Sequence, residues 1–167
     1  MIGKGKSISH GVAALEYDLA KEINGQAVAT EIARHELYGC TGAEMVQEMK
    51  PYHIDFPNVK NNCLRFEVSP SIEESATFTD ADWAELGNDF MQRMGLANHQ
   101  YIIIRHSGTE SKKEQAHLHI LANRVSLSGE LYRDNWIGKK ATEAANAIAK
   151  ERNFVQSQDT VSYTHLT

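Results

Sequence analysis

Three of the eight histidines, His106, His117 and His119, have a spacing that suits metal chemistry. His117 and His119 are separated by one residue, so in a β-strand both imidazoles leave the same face while Leu118 leaves the other. Residues 101–105, which precede His106, are β-branched or aromatic and predict a second strand. An antiparallel hairpin of the two strands would bring three imidazoles to one point. Three imidazoles with room for further ligands are typical of a catalytic metal site.

The alternative for these histidines is an ordinary structural one. Single histidines on loops or strand ends are mostly surface residues, and a His-x-His pair alone is a weak signal of metal binding. A third histidine at the end of the adjacent strand makes the pattern more specific, so we favour the metal site. Three other histidines lack such a pattern and are assigned to surface or loop positions: His35, His53 and His99.

The second candidate group is Tyr17, on a helix predicted from about His10 to Glu22 and capped by Ser9 or Ser7. The apolar stripe of this helix consists of Val12, Leu15, Leu19 and Ile23. Tyr17 falls nearly opposite the stripe, on the same side as His10. Either Tyr17 packs against the sheet or a loop, or its phenol is a nucleophile. A phenol has a pKa of about 10, so it needs a metal or a base nearby to attack at neutral pH.

Composition limits the class of protein. With 167 residues, of which 41% are hydrophobic, the chain is long enough for one ordinary soluble domain. No run of about 18 apolar residues predicts a membrane span, and the N-terminus does not have the pattern of a secretory signal. Cys40 and Cys63 lie far apart and outside any Cys-x-x-Cys pattern, so we expect free thiols and a cytoplasmic location.

The formal net charge of −5 argues against nucleic-acid binding, because phosphate binding usually leaves a basic footprint. The acidic excess comes largely from one region, which contains Glu73, Glu74, Asp80, Asp82 and Glu85. Basic residues instead fall near the motifs described above, among them Lys4, Lys6, Lys21, Arg105 and Arg124. A basic face on an acidic protein is therefore compatible with the sequence.

The order of elements predicts an α+β fold with a central antiparallel β-sheet and helices packed against one face. Strands are expected near the N-terminus, at residues 63–69, and in the histidine hairpin, with residues 27–37 ambiguous. Helices after the first are expected at residues 41–49, 79–94 and 137–152. One domain is expected over residues 1–155, followed by an unstructured tail or sequencing remnant at residues 156–167.

Several segments together resemble the mobilisation relaxases of the MobA/VirD type, which belong to the HUH endonuclease superfamily. They are the N-terminal sequence MIGKGKSISH, Tyr17, the strand end EVSP at residues 67–70, the histidine motif ending in Asn123-Arg124-Val125, and residues 129–139. The resemblance covers residues 1–153 in the family's order, which is more specific than any single motif. It implies the central antiparallel sheet of HUH endonucleases.

The resemblance also implies an activity, namely a strand- and site-specific nick at a plasmid or mobile-element transfer origin. In the family a tyrosine attacks a phosphodiester, becomes joined to the DNA 5′ phosphate and releases a 3′ hydroxyl; reversal rejoins the strand after conjugative transfer. Tyr17 matches this nucleophile, and His106, His117 and His119 match the ligands of a divalent cation, Mg²⁺ or Mn²⁺. Imidazole is a softer ligand than Mg²⁺ prefers, so Mn²⁺ is our first choice.

The resemblance implies supporting residues and partners as well. Asn123 matches a family position after the histidine strand and is expected to orient a ligand. Lys4, Lys6, Arg105 and Arg124 are expected phosphate contacts from their charge and position. The implied substrate is single-stranded DNA at a transfer origin. Accessory relaxosome proteins and a type IV secretion coupling protein are the implied partners.

Two features depart from the family pattern. Related sequences have an acidic residue two positions after the first histidine, where this chain has Gly108. Either Glu110 or Glu114 substitutes for it, or the site is weakened. The loop between His106 and His117 is also longer than the family's common form.

The departures leave several alternatives open. Some relaxase relatives use a histidine as the nucleophile, so His10 competes with Tyr17, which we favour because it occupies the matching position. A weakened site predicts a single-stranded-DNA-binding relaxosome component that does not cut. A metal-dependent phosphoesterase that uses water, and a structural metal domain, are further alternatives. The chain is also compatible with the N-terminal part of a longer relaxase.

Overall fold

The computed structural model describes residues 1–108 and 115–157, and it has the predicted α+β architecture. The strands among these residues are β1 (Ile2–Ile8), β2 (Glu22–Ile23), β3 (Gln26–Ala27), β4 (Ala29–His35), β5 (Cys63–Ser69), β6 (Tyr101–His106) and β7 (His117–Asn123). The helices are α1 (Gly11–Leu19), α2 (Gly42–Met49), α3 (Ile72–Ser75), α4 (Asp80–Arg93) and α5 (Ile137–Glu151). A short 3-10 helix, Lys50–His53, follows α2 directly.

Five of the strands form one antiparallel sheet in the order β1-β5-β7-β6-β4. The two strands predicted to carry the histidines, β6 and β7, therefore lie inside the sheet, and β1 and β4 are its edges. The ambiguous segment at residues 27–37 contributes the edge strand β4. Strands β2 and β3 form a separate two-stranded hairpin between α1 and β4.

Helices cover both faces of the sheet, so the prediction of helices against one face is wrong. On one face, α1 and α2 pack over a cluster that includes Ile102, Ile104 and Leu121. On the other face, α4 and α5 pack over a cluster that includes Phe66 and Ile103. The sequence of β6 has apolar residues on both faces, which is the pattern of a strand buried on both sides.

Helix α1 is shorter than predicted and buries different residues. It ends at Leu19, and His10, rather than Ser9 or Ser7, precedes its first turn. Its buried positions have the expected helical spacing but include small and charged residues: Gly11, Ala14, Leu15 and Asp18. Val12 of the predicted stripe is exposed, and Ile23 belongs to β2 instead.

Two predicted helices begin at threonines whose side chains cap them. Thr41 Oγ1 accepts a hydrogen bond from Glu44 N at 3.1 Å at the start of α2. At the start of α4, Thr79 Oγ1 accepts from Asp82 N at 3.2 Å, and the Asp82 carboxylate accepts from Thr79 N at 2.9 Å. Helix α5 differs, because the residue before it, Trp136, has a left-handed backbone and no side-chain cap.

Both cysteines are free thiols. Burial raises the pKa of the Cys63 thiol to about 11, whereas Cys40 is exposed. Among the described residues, none of the helices combines the length and the apolar character needed to cross a bilayer.

The histidines assigned to surface or loop positions take part in hydrogen bonds at one end of β7. His99 lies in the loop before β6 and is buried rather than on the surface, and its Nδ1 donates to the Asn123 carbonyl oxygen at 2.7 Å. His35 Nδ1 donates to the His99 carbonyl oxygen at 2.7 Å, and His53 Nε2 donates to Asn123 Oδ1 at 2.7 Å. These bonds fix the end of β7 that lies away from His117.

The buried His99 predicts a pH dependence of stability. Burial lowers the pKa of His99 below its ordinary value of 6.5. Below about pH 6.5 the unfolded chain therefore binds a proton that the folded chain does not, and the free energy of unfolding falls as the pH decreases. His99→Gln should lose part of this slope, up to about 1.4 kcal/mol per pH unit. Urea unfolding at several pH values measures the slope, and an unchanged slope in the variant would contradict the prediction.

The contact between β1 and α5 predicts a second effect on stability. A Cβ added to Gly3 would lie 2.3 Å from the Ala141 carbonyl oxygen and 2.8 Å from the Ala145 Cβ. Gly3→Ala should therefore lower the free energy of unfolding by about 1–3 kcal/mol. Gly138→Ala is the matched control, since its added Cβ meets only the Gly5 carbonyl oxygen, at 3.7 Å. The control should be neutral or stabilising by up to about 1 kcal/mol in urea unfolding, because alanine is the better helix former.

Candidate functional site

The register of β6 and β7 brings the three histidines together. His106 lies directly opposite His117 in the antiparallel pair, and His119 leaves the same face two residues further along β7. The His106 ring centroid is 5.4 Å from that of His117 and 4.3 Å from that of His119. The centroids of His117 and His119 are 4.9 Å apart. One ligand atom from each residue lies within 4.8 Å of the others, so the predicted convergence is present.

Backbone carbonyls determine which nitrogen is free in two of the rings. His106 Nε2 donates to the Asp18 carbonyl oxygen at 2.8 Å, and His117 Nδ1 donates to the Gln115 carbonyl oxygen at 3.3 Å. Because a carbonyl only accepts, these nitrogens carry the hydrogen, and the other nitrogen of each neutral ring has a lone pair. The Nε2 atoms of His117 and His119 lie 3.1 Å apart. Metal-binding histidines commonly have their second nitrogen bonded to a carbonyl or carboxylate in this way.

Burial favours the neutral form of the imidazoles. Burial lowers the pKa of His106 below its ordinary value of 6.5. Burial, with smaller contributions from His106 and His117, lowers the pKa of His119 to about 2. Neutral imidazole is the form that binds a metal. The three convergent imidazoles therefore fit a divalent transition-metal cation.

Tyr17 lies in the wall of the pocket that the histidines line. The pocket is open, has a volume of about 220 Å³, and is lined by Tyr17, Lys21, Glu67, His106, Gly108, His117 and His119. Tyr17 is 57% exposed, on the outer side of α1 as predicted, and its hydroxyl accepts a hydrogen bond from Lys21 Nζ at 2.7 Å. The pocket therefore combines an accessible phenol, an ammonium group and three imidazoles.

Asp18 connects the helix that carries Tyr17 to the sheet that carries the histidines. Asp18 is 1% exposed, and its carboxylate accepts hydrogen bonds from Arg65 on β5, from Nη2 at 2.5 Å and from Nε at 3.1 Å. Its backbone carbonyl accepts the bond from His106 Nε2. One residue therefore fixes the end of α1 against β5 and orients an imidazole of the cluster.

Sequence reasoning missed Asp18, Arg65 and Glu67. Asp18 follows Leu15 at helical spacing, so a signal was present in the pattern of small and apolar residues on that side of α1. Arg65 and Glu67 occupy alternate positions of β5 and leave one face, and Glu67 lies directly opposite His119. The alternation of polar and apolar residues in β5 could be recognised in the sequence. The residues that Arg65 and Glu67 meet, Asp18 and His119, come from distant parts of the chain.

Two predicted site residues lie at the other end of β7. Asn123 is six residues from His117, about 20 Å along the strand. It is buried, and its amide donates to Gln100 Oε1 at 2.9 Å. Arg124 donates to the Tyr132 carbonyl oxygen at 2.9 Å and pairs with Asp134 at 3.3 Å. These contacts place neither Asn123 nor Arg124 beside the three histidines, so the structure gives no support to a ligand-orienting role for Asn123.

Two further predicted residues also lie elsewhere. Arg105 leaves the sheet on the face opposite to its neighbour His106, and its Nη1 pairs with Asp80 at 2.6 Å, so it does not face the pocket. His10 is at the opposite end of α1 from Tyr17 and lines a different pocket. The predicted substitutes for the missing acidic residue, at positions 110 and 114, lie outside the described residues.

Lys4 and Lys6 lie near the cluster. Both are exposed on β1, and with Arg65, Glu67 and His119 they line a groove of about 210 Å³ next to the histidine pocket. Their positions are compatible with the predicted phosphate contacts. Glu67 lines both the groove and the pocket.

Comparison with known proteins gives the class. The family model for the MobA/VirD2-like relaxase nuclease domain matches residues 17–154, most of the chain. The chain therefore belongs to this family, a class of DNA-nicking relaxases, as its sequence motifs predicted. It is also similar to a solved structure from a study of the molecular basis of vancomycin resistance transfer in Staphylococcus aureus. Identity there is 14%, coverage is 92% of this chain and 95% of that chain, and the TM-score is 0.48. None of the curated proteins matches.

The ion pair between Asp18 and Arg65 predicts a stability effect. Arg65→Met leaves a buried carboxylate without its partner and should lower the free energy of unfolding by about 2–3 kcal/mol, since Arg65 is itself partly exposed. The double variant Asp18→Leu/Arg65→Met should recover most of the loss. Arg105→Met is the matched control, because its partner Asp80 is largely exposed, and should cost less than about 1 kcal/mol. Equal losses at Arg65 and Arg105 in urea unfolding would contradict a buried clamp.

Proposed function

We propose that this domain nicks one strand of a DNA transfer origin through attack by Tyr17 on a phosphodiester, and that it later rejoins the strand. The observation that carries the proposal is the shared pocket, in which the exposed Tyr17 phenol and the three convergent imidazoles face one space. Membership of the relaxase nuclease family supports the reaction class. The product would be a 5′-phosphotyrosyl DNA and a free 3′ hydroxyl.

The three histidines would hold a divalent cation, with Mn²⁺ favoured over Mg²⁺ because imidazole is a soft ligand for Mg²⁺. When bound, the cation supplies charge neutralisation at the scissile phosphate. The chain itself supplies the orientation of the rings. The Asp18 and Gln115 carbonyls hold two of the imidazoles with their lone pairs free.

The proposed step forms one phosphorus–oxygen bond and breaks another. The Tyr17 oxygen forms a bond to phosphorus, the phenol proton is released, and the phosphorus bond to the 3′ oxygen breaks. The 3′ oxygen takes up a proton to give the hydroxyl. Lys21, whose ammonium donates to the Tyr17 oxygen at 2.7 Å, would stabilise negative charge on that oxygen during attack. Religation reverses the step without an external energy source, because the phosphotyrosyl bond retains the energy of the phosphodiester.

The choice of Tyr17 over His10 follows from their positions. The two residues lie at opposite ends of α1, about 10 Å apart along the helix axis. Of the two, Tyr17 lines the histidine pocket. His10 lines a separate pocket with His53 and Asn62.

Charge distribution supports single-stranded DNA as the substrate despite the net charge of −5. The acidic residues Asp80, Asp82 and Glu85 lie on α4, on the face of the sheet opposite to the site. The site face instead presents basic side chains, namely Lys4, Lys6, Lys21 and Arg65. Accessory relaxosome proteins and a secretion coupling protein are proposed partners by family membership.

A second candidate is a DNA-binding relaxosome component that does not cut. The observation that favours it is Gly108, which lines the pocket at the position where related sequences carry an acidic residue. Glu67 argues for an active site, because this acidic residue lines the same pocket and pairs with His119 across β5 and β7. We therefore favour the enzyme.

The test is formation of a covalent adduct between the full chain and a library of single-stranded DNA with a randomised central region. With Mn²⁺ the wild type should form an adduct that resists detergent, and mass spectrometry should find the nucleotide on Tyr17. Tyr17→Phe should form none. His117→Ala or chelation of the metal should reduce the adduct by at least about 100-fold.

Tyr38→Phe is the matched control, because Tyr38 is another exposed tyrosine on the surface, and it should retain the full yield. His10→Ala should do the same. An adduct that persists in Tyr17→Phe would refute the proposed nucleophile. Cleavage without an adduct would favour the water-using phosphoesterase, and binding without cleavage would favour the inactive component.

A further inference from the structure

Trp136 is a large aromatic residue that the fold leaves in solvent. It is 78% exposed and belongs to neither apolar cluster. Its backbone has φ 59° and ψ 28°, a left-handed conformation that bulky residues rarely adopt. Glycine or asparagine would suit this position better, so neither packing nor backbone conformation explains a tryptophan. Residues kept in such conformations are often functional.

The segment around Trp136 is anchored on both sides. Before it, the Asp134 carboxylate accepts a hydrogen bond from Ser7 Oγ at 2.7 Å and pairs with Arg124 at 3.3 Å. After it, Lys140 N donates to the Trp136 carbonyl oxygen at 2.9 Å in the first turn of α5. A rigid support reduces the entropic cost of presenting a ring to a ligand.

The same contacts place Trp136 beside β1, an edge strand of the sheet. Ser7 bonds to Asp134, and a Cβ on Gly138 would lie 3.7 Å from the Gly5 carbonyl oxygen. By strand alternation Gly5 and Ser7 leave β1 on the face that α5 covers, whereas Lys6 leaves on the face of the histidine site. The groove next to the histidine pocket includes Lys6 and extends across three adjacent strands to His119. Trp136 therefore lies at the outer edge of the sheet, on the α5 side of β1, and a DNA strand that leaves the groove over this edge would reach it.

The charges around Trp136 are complementary to a nucleic-acid backbone. Lys4 and Lys6 are exposed on β1, and Lys139 is exposed on the other side, in the first turn of α5. The nearby acid, Asp134, is already paired with Arg124. Surfaces that bind single strands combine basic grooves for phosphates with aromatic rings on which bases stack.

We propose that Trp136 is a stacking platform for a nucleobase of single-stranded DNA, with the adjoining phosphates bound by Lys6 and Lys139. The inference rests on the proposed function, since it takes the strand bound at the Tyr17 pocket to continue across β1. Stacking tolerates any base, because every base has a π face. Trp136 therefore contributes affinity rather than recognition of the origin sequence.

The test measures binding of the full chain to fluorescein-labelled oligothymidine of about 20 nucleotides, by anisotropy, with the metal chelated. Trp136→Gly should raise the dissociation constant by about 5- to 100-fold, and Trp136→Phe should stay within about threefold of the wild type. Glycine relieves the left-handed backbone, so Trp136→Gly should unfold at the same or a higher urea concentration than the wild type. Urea unfolding therefore distinguishes a loss of DNA affinity from a loss of folded protein in this variant.

Tyr38→Ala is the matched control. Tyr38 is 75% exposed, but its hydroxyl donates to Glu36 and its backbone N donates to Glu48, so its surroundings are acidic. This variant should bind oligothymidine like the wild type. Trp83 is the other tryptophan and is buried, so in Trp83→Phe the fluorescence reports Trp136 alone. Saturating oligothymidine should quench that fluorescence.

Unchanged affinity in Trp136→Gly, or no binding by the wild type, would overturn the stacking proposal. If that happens while the wild type still forms the Tyr17 adduct, the proposed function stands without the platform. If affinity depends on Trp136 but the wild type forms no adduct, the platform stands and the nicking activity fails. If Trp136 instead binds a protein, Trp136→Gly should bind oligothymidine with unchanged affinity.

Discussion

The pairing of β6 with β7 is the interaction on which the histidine site depends. The register that sets His106 opposite His117 puts both on the same face as His119. A slip of β7 by one residue would move His117 and His119 to the opposite face and bring Ile120 to the pocket face. Both strands lie inside the sheet between two helical layers, so burial on each face opposes such a slip. The hydrophobic core therefore determines the geometry of the imidazoles.

The second constraint is the position of α1. Its inner side carries Asp18, and the bond to Arg65 holds that end of the helix against β5. Because Tyr17 directly precedes Asp18, the same contact places the phenol outside the core and beside the histidines. The Asp18 carbonyl also orients His106. A buried charge is a costly way to dock a helix, and its use here links the candidate nucleophile to the candidate metal ligands.

Net charge describes the surroundings of the site poorly, because basic side chains outnumber acidic ones among the residues that line the groove and the pocket. Asp80, Asp82 and Glu85 lie on α4, away from the site, whereas Lys4, Lys6, Lys21 and Arg65 line the groove and the pocket together with Glu67. A total of −5 is therefore compatible with a local surface that attracts phosphate. The strained, exposed Trp136 lies along the same edge, where aromatic and basic groups complement each other.

Several features could be predicted from the sequence because they depend on local periodicity and on capping. These include the β5 strand, the starts of α2 and α4 at Thr41 and Thr79, and the shared face of His117 and His119. Only the tertiary structure decided which side chains meet. In the fold, helices cover both faces of the sheet, Asp18 pairs with Arg65, and Asn123 lies at the far end of β7. The reason is physical: periodicity specifies the face from which a side chain leaves, whereas its partner depends on packing between distant segments.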